Sequence, residues 1–262
     1  MAPRAKRVYL RQMRTIRLIA GLALGTATLP ASACSLAPGY RVPSNLELAR
    51  EAETILLAQV IAGQLDEGDD PFESTITLHP LAALKGPLPD GDIALKGMML
   101  SRDAGPEYGM LSDPTEFERA HPVSYVGGCI RYVFPLGTTA LFFLDRDQKG
   151  QWDPVSDPFS RWAEDVPGPD APWAELVRLY VHASALPESE RAAYLEGQRE
   201  VLRAQPDNPV AQLMAADIAR QLAPVPPEDA SEQLASEDSA ALDSAVEADL
   251  RRLRRAAIEA GN

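Results

Sequence analysis

Cysteine, histidine and aromatic residues are all scarce in this 262-residue chain: two Cys, three His, and 6 % Phe, Trp and Tyr. So few Cys and His leave little from which to build a metal cluster, and no metal site is expected. Acids outnumber bases, 38 to 25, for a formal net charge of −13. Nucleic acid is held by clustered cations and stacking aromatics, so it is excluded as a partner. No apolar run reaches the ~18 residues of a spanning helix, which excludes a polytopic membrane protein. The motifs G-x-S-x-G, H-E-x-x-H, the P-loop and the dinucleotide glycine pattern are all missing. A serine nucleophile needs a base within hydrogen-bond reach, and no serine has a histidine beside it in sequence. No cofactor is expected. Against these absences, 45 % of the residues are hydrophobic, ordinary for a folded protein and too many for a disordered one.

Charge is unevenly placed. Arg4, Lys6, Arg7, Arg11, Arg14 and Arg17 precede the first acid, and the short apolar stretch Leu18 to Leu29 follows. Then comes Pro30-Ala31-Ser32-Ala33-Cys34. A basic start, an apolar middle and small residues at A-x-A form a secretory signal, with cleavage expected between Ala33 and Cys34. Removing residues 1–33 lowers the bases from 25 to 19 and leaves all 38 acids, a net of −19.

Cys34 would then be the mature N-terminus, and it has two readings. One is a lipoprotein with diacylglycerol on Cys34, although the usual Leu at −3 is Ala31 here. The other is a disulfide to Cys129, the only other cysteine. The bridge would close a loop of about 95 residues, contributing roughly 4 kcal/mol in the chain-entropy model. Acylation consumes the sulfur, so the readings exclude each other.

Residues 34–145 read as β-rich. Glu47 to Ala52 is a short helix capped by Ser44 or Asn45. Thr54 to Ala62 is a buried strand. Phe72 to Leu78 alternates, with Phe72, Ser74, Ile76 and Leu78 on one face. Pro80 interrupts or bends that strand before Leu81 to Leu84, and Asp92 to Leu100 is another strand. Residues 101–126 form a long loop, of the kind that is often functional. Cys129 to Phe134 and Thr138 to Leu144 are strands joined through Pro135-Leu136-Gly137 as a hairpin. About five short strands with tight turns favour a small barrel. Residues 145–172 are irregular. Helices are predicted over 173–184, 188–204 and 210–222, the last two as a hairpin. Residues 224–238 read as a disordered linker, and 239–260 as a helix striped by Leu242, Val246, Leu250, Leu253 and Ala257.

The start Cys34-Ser35-Leu36-Ala37-Pro38, the stretch LELAREAETILLAQVIAG, Leu84-Lys85-Gly86-Pro87, and Gly128-Cys129 leading through Phe134-Pro135-Leu136-Gly137 into Ala140 to Leu144 resemble a netrin-type module. That group includes the tissue inhibitors of metalloproteinases and exported bacterial proteins. The resemblance covers about 34–145. It implies a five-stranded OB-like β-barrel, its N-terminal segment stapled to the sheet by a disulfide; with the helices predicted after it, the fold expected is α+β with a helical C-terminal extension. The expected domains are a signal peptide (1–33), a netrin-like domain with a trailing helix (34–184), a helical hairpin (185–223), a linker (224–238) and a final helix (239–262).

In the inhibitors, the mature N-terminal amine and carbonyl chelate the zinc of a protease. The resemblance would give that role to Cys34, and a catalytic zinc does keep an open position for it. The inhibitors open Cys-x-Cys, whereas the third residue here is Leu36. The function expected is therefore a non-enzymatic binding or structural module. It acts by protein–protein contact in the periplasm or at the cell surface. The alternatives are a metalloprotease inhibitor using the Cys34 amine and a lipid-anchored envelope scaffold. The expected partner is a protein, a protease under the first alternative; a membrane is expected only if Cys34 is lipidated.

Other residues have plainer readings. His79, His121 and His182 read as structural or surface histidines. Clustering of His79, His121 and carboxylates in one cleft would argue for an enzyme. Asp145 to Gly150 faintly resembles a calcium loop, but Lys149 stands where an oxygen ligand is needed and Ser156 where a bidentate Glu is needed, so it reads as a charged turn. Trp152 and Trp162 read as anchors of an irregular segment on the core, with a ligand platform as the alternative.

Overall fold

Glu47 starts the first described helix by closing a capping box. Its backbone N–H donates to Ser44 Oγ, and its carboxylate accepts from the Ser44 N–H. The Arg41 guanidinium grips that carboxylate and holds it down at about 2, against partial burial. The helix so started is α1 (Asn45–Glu51). The computed structural model describes residues 40–64, 74–101, 111–125 and 128–223, all within the unit Cys34–Asn262. The signal segment, Cys34, Phe72, the 224–238 linker and the 239–260 helix lie outside the described residues.

Eight strands follow: β1 (Thr54–Gln64), β2 (Thr75–Lys85), β3 (Ile93–Lys96), β4 (Met99–Ser101), β5 (Val133–Pro135), β6 (Thr139–Arg146), β7 (Trp152–Pro154) and β8 (Ala163–Asp165). Then come α2 (Pro172–Ala185), α3 (Glu188–Arg203) and α4 (Pro209–Leu222). The fold is α+β. Its main sheet is antiparallel and runs β3-β2-β1-β6-β7, with β8 also on β6.

This sheet is not closed into a barrel. The expected strand Asp92 to Leu100 breaks at Gly97, which has φ +77. Only its first part, β3, stays on β2. The second part, β4, leaves the main sheet and pairs with β5 in a separate parallel ladder. The end strands β3 and β7 lie against each other without ladder bonds. The β5–β6 hairpin is corrected by the same pairing. β6 makes its ladder with β1, and the turn at Gly137 donates to the Val60 carbonyl of β1. The expected irregular segment 145–172 supplies β7 and β8, both on the edge of β6 away from β1.

Pro80 does not end β2. It lies at a register shift, where Leu57 opposes Ala82 and Ala58 opposes Pro80, so Leu81 is an extra residue. A bulge is where a strand tolerates a residue without an N–H. β3 covers only Thr75–Leu78 of β2. The connector 86–92 therefore returns past His79–Lys85. It carries Pro87 and Pro89, and Asp92 meets His79 at 2.8 Å.

The central strands are buried on both faces, which explains their unbroken apolar runs. On one face Leu56 opposes Phe142, and the Phe142 ring packs beside Phe134 and Trp162. On the other, Ile55 opposes Phe143, which packs on Trp173 of α2. These side chains are fully buried or nearly so, and each such residue contributes about 1.5–3 kcal/mol. Pro172 opens α2, where its missing N–H costs nothing. Asn208 caps α4 by accepting from the Ala211 N–H.

Candidate functional site

The long segment before β5 is taken as the candidate site, because its described part, 111–125, is held down by buried charge. Phe117 stacks on Trp173 at 6.3 Å, and Pro122–Tyr125 forms a 3-10 turn. Beneath it β8 presents Glu164 and Asp165, both buried. Asp165 Oδ2 accepts from the Ser112 N–H at 3.0 Å, and Ser112 Oγ accepts from the Asp165 N–H at 3.0 Å. Ser112 Oγ donates to Glu164 Oε2 at 2.5 Å, and Glu164 Oε1 accepts from the His121 N–H at 2.9 Å. Two adjacent acids thus satisfy backbone donors nine residues apart.

Cations balance them. Arg131 donates to Asp165 Oδ1 at 2.7 Å and to the Ala163 carbonyl at 3.2 Å. Arg161 donates to the Arg119 carbonyl at 2.7 Å and lies 3.9 Å from Glu164. Both guanidiniums are buried and stacked, Arg131 over Phe134 at 4.6 Å and Arg161 over Trp173 at 4.2 Å. Burial opposes the charge on Asp165, but Arg131 and His121 outweigh it and hold its carboxyl at about 2.

The ring of His121 is oriented. Its Nδ1 accepts from the Val123 N–H at 3.1 Å, which puts the proton on Nε2, 3.2 Å from Asp165 Oδ2. Ser112 Oγ gives its proton to a carboxylate and not to the imidazole, so no serine–histidine relay is formed. What this arrangement does chemically is fix backbone.

A second junction joins α1, α2, α4 and the same segment. Asp217, buried, accepts from the Tyr180 hydroxyl, from the Asn45 amide at 3.1 Å and from Arg220 at 2.8 Å. Asn45 also donates to the Phe117 carbonyl at 2.7 Å. Burial, and then Asp217, push the Tyr180 hydroxyl well up from its ordinary range.

The sequence-derived candidates scatter. Ala31, Ala33 and Cys34 lie outside the described residues. Cys129 is described at φ +62, and its carbonyl accepts from the Phe159 N–H at 2.6 Å. His79 is exposed beside Asp92, and His182 packs against the Tyr194 ring at 4.7 Å. His79 pairs with Asp92 at the surface and does not join His121 at the buried Glu164 and Asp165. Trp162 is a core anchor, wholly buried, while Trp152 is half-buried with Arg146 stacked 3.4 Å from its ring centroid. At the β6–β7 tip, Asp147 accepts from the Lys149 and Gln151 N–H groups, which makes a charged turn. Among the described residues no group of three or more His, Cys, Asp or Glu is placed to hold a metal ion.

Ser112, Arg131, Arg161, Glu164 and Asp165 escaped the sequence reading. Three of them carry a local signal: charged Arg161, Glu164 and Asp165 are interspersed with apolar Trp162, Ala163 and Val166, a mixture unlike a solvated loop. Compared with known proteins, the chain matches no protein-family model and no curated protein.

Proposed function

We propose that this chain is an exported, non-enzymatic binding or structural module that acts through protein contacts in the cell envelope. The observation that carries this reading is the clamp on residues 111–125. Ser112, His121, Glu164 and Asp165 direct hydrogen bonds to backbone and to one another. The clamp orders a long segment in advance, which lowers the cost of ordering it against a partner. Leu111, 68 % exposed, and the exposed Asp113 and Glu118 project from that segment. The partner is a protein, met through this preordered surface.

Export rests on the basic, apolar and A-x-A order of residues 1–33. The mature chain begins at Cys34, bridged to Cys129; no cysteine among the described residues is free, which supports the bridge. We also infer kinship with netrin-type modules, the sheet being an OB-type barrel left unclosed. The β1–β2–β3 meander, β6 on the other side of β1, and the meeting of β3 with β7 support that kinship.

Two measurements test the proposal. Intact mass of protein recovered from the envelope is expected to give a chain starting at Cys34 and lighter by two hydrogens. A diacyl adduct on Cys34 would replace the bridge with an anchor, and an uncleaved chain would remove export. A photo-crosslinking residue in place of Leu111 is expected to give one discrete adduct with an envelope protein. A folded, exported chain that yields no adduct from Leu111, Asp113 or Glu118 overturns the binding reading.

A further inference from the structure

We draw no further inference here: the strongest candidate, the exposed apolar patch of Ile61 and Leu136 where the turn after β5 meets the end of β1, carries nothing because nothing in the structure shows what covers it.

Discussion

Two buried carboxylates brace the same 111–125 segment, Asp165 at Ser112 and His121 and Asp217 through Asn45 at Phe117 between them, and they are neutralised differently. Asp165 faces Arg131, itself 1 % exposed, so both charges of that pair are out of water. Asp217 faces Arg220, whose side chain is 40 % exposed, and takes its other hydrogen bonds from a tyrosine and an amide. A pair buried on both sides gains little net stability over an apolar pair, yet is costly to split. A pair with one partner partly in water is better screened, less costly to split and more sensitive to salt. The first junction therefore fixes one arrangement of the segment, and the second adds to it.

The sharpest way to break this contrast is Arg131→Met. It leaves Asp165 buried beside His121 without its main cation, and should cost about 3–5 kcal/mol in urea unfolding. A loss below ~1 kcal/mol would mean the pair is solvated in solution. Acid gives the next largest effect. Asp165 has a folded pKa of about 2 against an ordinary value near 3.9, so its contribution is full above about pH 4 and lost as pH falls towards 2. The loss should be on the order of 2 kcal/mol, and Asp165→Asn should flatten that part of the stability–pH curve. If the variant keeps the wild-type slope, other acids carry the effect.

Asn45→Ala comes third. It removes donors from Asp217 and from the Phe117 carbonyl, and should cost about 1–2 kcal/mol. Faster amide exchange should appear around Phe117 and leave Ser112 protected; equal loosening at both positions would make the junctions one cooperative unit. Arg220→Ala should be smallest, about 1 kcal/mol, and its effect should shrink in molar salt. A salt-independent loss would place Arg220 with the buried cations.

The sequence showed the parts of this molecule better than their closure. The runs Thr54 to Ala62 and Ala140 to Leu144 are apolar on both faces, and α2 and α4 carry regular stripes, so those elements were readable. The residue ends moved by only a few positions, as with β1 reaching Gln64. The sheet's staying open goes with the break at Gly97, whose positive φ no periodicity reveals. β7 and β8 are three residues each, too short for a period, and owe their pairing to β6. The clamp was hidden because Arg131 and Asp165 lie 34 positions apart, and charged residues are expected outside. The loop 101–126 was recognised as unusual in length, but its buried anchors could not be separated from its polar surface without the fold.

The proline-bearing connector 86–92 has a consequence beyond its own shape. A second ladder along His79–Lys85 would need an unbroken row of donors beside it, and Pro87 and Pro89 supply none. By lying along that side, the connector denies the position to a strand from another molecule. In a concentrated solution, the protein is thereby guarded against fibre-like stacking along the part of β2 that β3 leaves uncovered.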